Sequence, residues 1–439
     1  MKHTVTVVGG GLAGSELALQ LASRGVAVVL REMRPTSMTP AHTTPYLAEL
    51  VCSNSLKSEN PHTASGVLKN ELRLLGCRLL SLAREASVPA GHALAVDRDV
   101  FARTVTEAIE SDPRISLERN EQRDLDLPPI SVIATGPLTT TDLAGAIREH
   151  LSHEHLHFYD AISISVGADS IDSRRMYRAS RYGKGGDDYW NIPISQEEYR
   201  RLVAFLREAP KTVKHGFEEK RCFEACLPIE ILADRDEDAM RFGPLRPKGL
   251  PNPQTGREPY AVLQLRQETV AETLLGLVGF QTRLTRPAQR ELVKLIPGLE
   301  GAEIQRWGAI HRNTYIDSPR LLDEMQMSRK REGLFFCGQL VGVEGYMESI
   351  AHGLVVAYNL LSLLGGRRPE LFPEETLIGA LQRHLVLGKE PFQPMNVNFG
   401  ILPQPAAAKR ERKKIYLERS RASMEAFIEQ VSSSHWKQN

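Results

Sequence analysis

The stretch Thr4-Val-Thr-Val-Val-Gly9-Gly10-Gly11-Leu12-Ala13-Gly14 decides the fold. Its β-branched start reads as a buried strand, and the glycines that follow match G-x-G-x-x-G. Leu12 to Arg24 then places Ala13, Leu17, Ala18, Leu21 and Ala22 at helical spacing, and Gly25 closes the helix. Val26 to Leu30 reads as a second buried strand, which completes a βαβ unit. Gly9 permits the tight turn, Gly11 lets the backbone approach a pyrophosphate, and Gly14 allows close helix–strand packing. Together with Gly10, Leu12 and Ala13 they form an expected phosphate-binding turn at a helix N-terminus. Glu32 ends the second strand, where a carboxylate accepts hydrogen bonds from ribose hydroxyls. A carboxylate there disfavours a 2′-phosphate, so FAD or NAD fits better than NADP.

Two later features favour FAD. Ala134-Thr135-Gly136 follows the strand-like Ile130–Ile133 run, a common late element of flavin-binding sheets. Gly338-Gln339, followed by Gly342, Glu344 and Gly345, places a second glycine turn before a helix. No second G-x-G-x-x-G is present, so a nicotinamide reductant has no Rossmann unit of its own. No C-x-x-C is present either, which argues against a disulfide reductase. The expected fold class is α/β. A Rossmann-like FAD-binding domain comes in two segments, 1–155 and 270–365, around an inserted α/β domain at 156–269, with a helical, basic C-terminal region at 366–439.

Composition excludes several classes. With 439 residues, 25% charged and 41% apolar, the chain is too apolar and too balanced in charge for a disordered protein. Five cysteines do not make a disulfide scaffold, and an odd number leaves at least one free thiol. The first residues lack the pattern of a signal peptide, and the apolar stretch 353–365 is broken by Tyr358, Asn359 and Ser362. A cytoplasmic protein with no membrane span and no obligate protein partner is expected. The net charge of +1 gives no support to nucleic-acid binding, but the charge is uneven along the chain. Arg174, Arg175, Arg178, Arg181 and Lys184 alternate with Tyr177, Tyr182, Tyr189 and Trp190. Arginine for phosphate and aromatics for splayed bases suit a single-stranded RNA loop. The second basic run, Lys409 to Lys414 with Arg419 and Arg421, reads as an RNA contact or as a solvated helix face.

Cys226 lies just before Pro228 and a short helical segment, Ile229–Ala233, and a thiolate is favoured near a helix N-terminus. Glu224 opposes that and Arg221 offsets it; the residues alone favour a buried small hydrophobe. Cys52 sits in the polar loop Val51-Cys-Ser-Asn-Ser-Leu56, flanked along the chain by His42 and His62. Cys77, among Leu74, Leu75 and Leu79, and Cys337, in a strand, read as core. Cys222 and Cys226 find only His215 nearby, short of a four-ligand set, so no metal is assigned.

At this point the chain resembles a family, the folate- and FAD-dependent tRNA (uracil-5-)-methyltransferases of bacteria. The resemblance spans nearly the whole chain. It is carried by Gly9 to Glu16, Arg31-Glu-Met-Arg-Pro35, Met38 to His42, Glu49 to Leu56, Val88 to Gly91 and Ala95 to Arg98. Phe223 to Glu230, Leu263 to Gln267, Val278 to Thr282, His311 to Tyr315 and Val343 to Ser349 extend it. Ile192 departs from the family pattern, which has cysteine there. The resemblance implies transfer of a one-carbon unit from 5,10-methylenetetrahydrofolate to C5 of uridine 54 in the tRNA T-loop. It implies FAD as cofactor and NADH or NADPH as reductant. It makes Cys226 and Cys52 the catalytic thiols, sets His311 against the folate, and makes tRNA the partner. Competing readings are the same chemistry on a ribosomal RNA uridine, a non-catalytic flavin- or tRNA-binding protein, and a general FAD oxidase or reductase. Two retained thiols speak against the second and a basic aromatic stretch against the third.

Overall fold

The structure is a computed structural model. It describes residues 3–153, 156–183, 185–212, 227–388, 390–408 and 411–432. Cys222, Cys226, Lys184, Lys409 and Arg410 lie outside the described residues.

Five parallel strands form the first sheet, in the order Leu334–Phe336, Ser131–Ile133, Thr4–Val8, Ala27–Arg31 and Ile115–Glu118. Val5, Val7, Val132, Leu30 and Phe335 are fully buried, as strands covered on both faces require. Helix Leu12–Ala22 leaves the first strand through the glycine turn. Across it packs helix Tyr346–Leu364, which follows the last strand of the sheet. That helix is 19 residues long and apolar enough to cross a membrane by composition, yet most of it is buried inside this domain. The two helices cross at Gly353. A Cβ there would meet the Ala13 carbonyl oxygen at 2.3 Å, so only glycine lets the backbones approach.

The second sheet is antiparallel. Its order is Ile304–Arg306, Leu156–Gly167, Leu274–Gln281, Ala261–Gln267, Tyr189–Ile194 and Tyr177–Arg178, with Ala309–Tyr315 also pairing with Leu156–Gly167. The expected boundary at 269/270 falls between two paired strands of this sheet. Leu274–Gln281 and Ala309–Tyr315 belong to the second sheet, and the chain rejoins the parallel sheet only at Leu334. The reason is local pairing. Leu265 lies opposite Leu277 in a hairpin, which needs no crossover and buries both side chains. Ile192 lies opposite Leu263 in the same core.

Residues 67–86, which carry one helical period, divide into Ala64–Leu74 and Arg78–Glu85 at Gly76, whose φ is +72°. Two buried carboxylates then tie elements together. Glu16 accepts from the backbone N–H groups of Arg78 (3.1 Å) and Leu79 (2.8 Å), capping a helix whose own N-cap, Cys77, offers no side-chain bond. Glu71 accepts from the N–H groups of Leu377 (2.7 Å) and Ile378 (2.9 Å) and from the Ser420 hydroxyl (2.6 Å). One carboxyl thus fixes the C-terminal helices Leu377–Leu387 and Arg412–Ser432 to the first segment.

Burial pushes the Glu71 carboxyl up from 4.5 to about 7, against the pull of its three donors. A folded value above the ordinary one means that the folded state holds the proton more tightly. The associated stability is complete below 4.5 and is lost as pH rises through about 7. Glu71→Ala leaves three buried donors without an acceptor and is expected to cost about 3 kcal/mol. Thermal melts of the two proteins across this range are the check: the slope should be shallower in the variant.

Candidate active site

The strands of the parallel sheet all end at one cavity. Val8 and Gly9, Arg31 and Glu32, Ala134 and Thr135, and Gly338 line it. This is the carboxyl edge of the sheet, where doubly wound folds hold their ligands. Leu12, Ala13, Gly136 and Gln339 also face it. Of the expected cofactor residues, three stand behind the wall. Gly10 donates its N–H to Glu32 Oε2 at 2.8 Å. Gly14 packs so closely that a Cβ would lie 2.0 Å from the Gly9 carbonyl oxygen. Gly345, with φ +111°, is the N-cap of helix Tyr346–Leu364 and sets Tyr346 into the cavity.

The residues present fit a dinucleotide cofactor. A Cβ on Gly11 would meet nothing within 4 Å, so this backbone is open towards the cavity. No side chain caps the first turn of helix Leu12–Ala22, which leaves its N–H groups to a phosphate. Glu32 is buried, and burial alone would raise its carboxyl. The Arg34 guanidinium outweighs this and holds it below the usual range, so Glu32 is charged. Arg34, 2% exposed, bonds Glu32 Oε1 through Nε (2.9 Å) and Glu49 Oε2 through Nη1 (3.1 Å). Glu49 in turn accepts from the N–H and hydroxyl groups of both Thr43 and Thr44. This network fixes the polar loop against the sheet. His42 also lines the cavity. Burial, and then the charge of Arg34, lower its imidazole to about 4, so it is neutral at pH 7.

Beside the cavity stands Cys52. Its sulfur lies 2.8 Å from the Tyr346 hydroxyl, which also accepts the N–H of Cys52 (2.8 Å) and of Ser53 (3.3 Å). With two N–H groups donating to the phenol oxygen, its one proton is directed at the sulfur. Burial, and then the nearby Cys52, push the Tyr346 phenol well above its ordinary range, so it keeps that proton. Arg266 Nη2 donates to Ser53 Oγ at 3.1 Å. Arg98 bonds Glu268 at 2.9 Å, and Arg98 Nε and Nη1 and Arg266 Nε are buried with no hydrogen-bond partner. Two guanidinium groups and the Glu268 carboxylate thus meet in this corner of the site. Tyr346, Arg98 and Arg266 all lie in motifs visible in the sequence. Their roles need the partner across the fold.

Cys77 and Cys337 are buried, and burial raises both thiols, in keeping with core roles. Among the described residues no group of three or more His, Cys, Asp or Glu side chains is placed to hold a metal. Cys226 is outside the described residues, but the chain on both sides of it is anchored at one place. Thr212 donates its N–H to the Arg283 carbonyl (2.8 Å). Beyond the cysteine, Pro228 is the N-cap of helix Ile229–Arg235, and Glu230 accepts from Thr282 Oγ1 (2.8 Å) and the Arg283 N–H (2.9 Å). His311 lies on strand Ala309–Tyr315; only its backbone is described.

The arginine-rich stretch has many partners of its own. Arg174 is 88% exposed, but a bidentate pair with Asp172 engages it. Arg175 pairs with Glu198 and Glu300. Arg178 pairs with Glu272 and lies over the Trp190 ring at 4.3 Å. Arg181 turns inward to the carbonyls of Arg246 and Lys248. Tyr177 and Tyr189 spend their hydroxyls on the Leu250 and Ala90 carbonyls. Asp172, Glu198, Glu272, Glu300 and the carbonyls of 246 and 248 thus hold the stretch in place.

Comparison with known proteins follows the same lines. A family model described as glucose inhibited division protein A matches residues 4–368. The methylenetetrahydrofolate–tRNA-(uracil-5-)-methyltransferase TrmFO of Geobacter sulfurreducens is 48% identical over 435 residues, 98% of this chain and 100% of its own. The protein of that name from Syntrophomonas wolfei is 48% identical over 431 residues, 97% of this chain and 99% of its own. Among solved structures, Aquifex aeolicus GidA in its form II crystal superposes with a TM-score of 0.70 at 14% identity. It covers 98% of this chain and 76% of that one, a likeness of fold. With near half of its residues shared from end to end, this chain belongs to the TrmFO family of methylenetetrahydrofolate–tRNA-(uracil-5-)-methyltransferases.

Proposed function

We propose that this enzyme transfers a one-carbon unit from 5,10-methylenetetrahydrofolate to C5 of uridine 54 in the tRNA T-loop and completes it to a methyl group. The observation that carries the reading is the Cys52–Tyr346 pair, 2.8 Å apart, beside a cavity built for a dinucleotide. A simple flavin oxidase has no use for an activated thiol beside its cofactor.

Uracil C5 is a poor nucleophile. A thiolate that adds to C6 turns the ring into an enolate, and C5 then bonds the methylene carbon of the folate. Loss of the C5 proton and departure of tetrahydrofolate from the new carbon leave an exocyclic methylene, and a hydride delivered there, with expulsion of the thiolate from C6, gives the methyl group. We assign the addition at C6 to Cys226. Cys52 is assigned to the C5 proton, with the Tyr346 hydroxyl donating to its sulfur and Arg266 supplying positive charge. Glu32 and the turn Gly9–Gly14 hold the cofactor, and His311 is assigned to stacking against the folate. FAD, when bound and re-reduced by NADH or NADPH, supplies the redox equivalents. The substrate is a base inside a folded loop, so it must be turned out to meet the thiols.

Incubation of the FAD-loaded enzyme with unmodified tRNA transcript, methylenetetrahydrofolate and NADPH should give 5-methyluridine at position 54 and nowhere else. A transcript left unmodified there would defeat the reading. Cys226→Ala should abolish product at unchanged flavin content; a wild-type rate would remove Cys226 from the mechanism. Tyr346→Phe removes only the hydroxyl, and the methylation rate should fall by roughly 100-fold, with the pH profile of the rate displaced. A Tyr346→Phe variant with the wild-type profile would take the phenol out of the proton step. Gly11→Ala adds a methyl where the protein has nothing within 4 Å. Its melting temperature should match that of wild-type apoprotein, while the flavin retained on purification falls about tenfold or more; full retention would displace the pyrophosphate from this turn.

A further inference from the structure

The engaged state of Arg174–Arg181 leaves open where RNA is gripped. Another place in the fold is better equipped. Helix Arg286–Lys294 begins with Arg286 and carries Arg290 one turn on, both exposed. Both guanidinium groups lie over the half-buried ring of Trp307, at 5.6 and 5.4 Å from its centroid. Apart from that ring, neither has an ion-pair or hydrogen-bond partner among the described residues. By contrast Lys294 of the same helix pairs with Glu291.

This arrangement costs the fold something. Two like charges four residues apart repel, and cations in the first turns of a helix oppose its dipole. The first turn holds no acidic residue to compensate, whereas helix Gln196–Glu208 opens with Glu197 and Glu198. Unfavourable local choices without an internal partner mark positions kept for an external one.

Position points the same way. Buried Gln289 accepts the Gly308 N–H (2.8 Å) and donates to the carbonyls of Gly308 and Leu284 (2.9 and 2.8 Å), locking the Trp307 turn onto this helix. The N-cap Thr285 donates its N–H to the Pro210 carbonyl at 3.0 Å. Thr212 and Glu230, the anchors on either side of the Cys226 segment, bond to Arg283 and Thr282 just before it. Trp307 leads directly into strand Ala309–Tyr315, which carries His311. The cationic–aromatic surface thus lies between the roots of the Cys226 segment and the His311 strand.

We propose that Arg286, Arg290 and Trp307 form the docking platform for the substrate RNA, the two arginines taking backbone phosphates and the indole stacking on an unpaired base. The proposal rests on the tRNA-methyltransferase reading for the identity of the RNA. Guanidinium forks match phosphate geometry, and an indole face accepts any base, as suits a loop recognised beside the reacting uracil. None of the three residues belongs to the cofactor cavity.

The test is direct binding of unmodified tRNA transcript to the FAD-loaded enzyme across a salt series, with methylation measured in parallel. Arg286→Gln/Arg290→Gln should weaken binding about 10- to 100-fold at low salt and lower the slope of log affinity against log salt by one to two units. Trp307→Ala should weaken binding about tenfold with the slope kept, and Trp307→Phe should restore most of it. Flavin content and tRNA-independent NADPH oxidation should not change in any variant. Arg174→Gln/Arg175→Gln should leave the slope within half a unit of wild type. Unchanged affinity and slope in the Arg286/Arg290 variant overturn the platform, whatever the enzyme methylates. Wild-type enzyme that binds tRNA through these residues yet makes no 5-methyluridine overturns the catalytic reading and leaves the platform standing.

Discussion

The contact on which the rest depends is the near touch of two backbones, Gly353 against Ala13. It brings helix Tyr346–Leu364 onto helix Leu12–Ala22 at a separation that no side chain permits. Each helix points its N-terminus at the same cavity, one through Gly11 and the other through Gly345 and Tyr346. The cofactor turn and the phenol that faces Cys52 are therefore set by one crossing. Widening it would separate the dinucleotide cradle from the thiol, although both sets of residues would remain intact.

Electrostatics then divides the site in two. On the Glu32 side, Glu32 and Glu49 share the buried guanidinium of Arg34, and each carboxylate is completed by backbone N–H groups or hydroxyls. Such a network is rigid because every member has partners. On the thiol side, Arg98 and Arg266 keep buried nitrogens without partners. Unspent donors in a low-dielectric corner stabilise whatever negative charge develops there. The same residue types thus hold a fixed loop in one place and await a charge in the other.

Much of this was legible in the chain. The glycine turn, Glu32, the late Thr135-Gly136 element and the Gly338 turn are local patterns, and local spacing decides them. The sheet to which strand Leu274–Gln281 belongs was not, because the strand reads the same in either sheet until its neighbours Ala261–Gln267 and Leu156–Gly167 are known. Tyr346 stood in a family motif without a role, since its partner Cys52 is 294 residues away along the chain. The partners of the arginine stretch were hidden for a related reason. Composition records how many guanidinium groups a segment has, whereas Glu272, Glu198 and the carbonyls of 246 and 248 decide which way they face. Arg286 and Arg290 escaped notice because two arginines four apart look ordinary until Trp307 is found beneath them.

The order of strands in the parallel sheet also bears on synthesis. Its edge strand, Leu334–Phe336, and the helix that closes the cavity come from the far end of the chain. The antiparallel domain between them is built from segments near one another in sequence. On a ribosome that domain is complete while the nucleotide-binding sheet still lacks an edge and Glu71 still lacks Leu377, Ile378 and Ser420. The inserted domain can therefore mature during translation. The cofactor site is completed later, once residues 334–364 have been made.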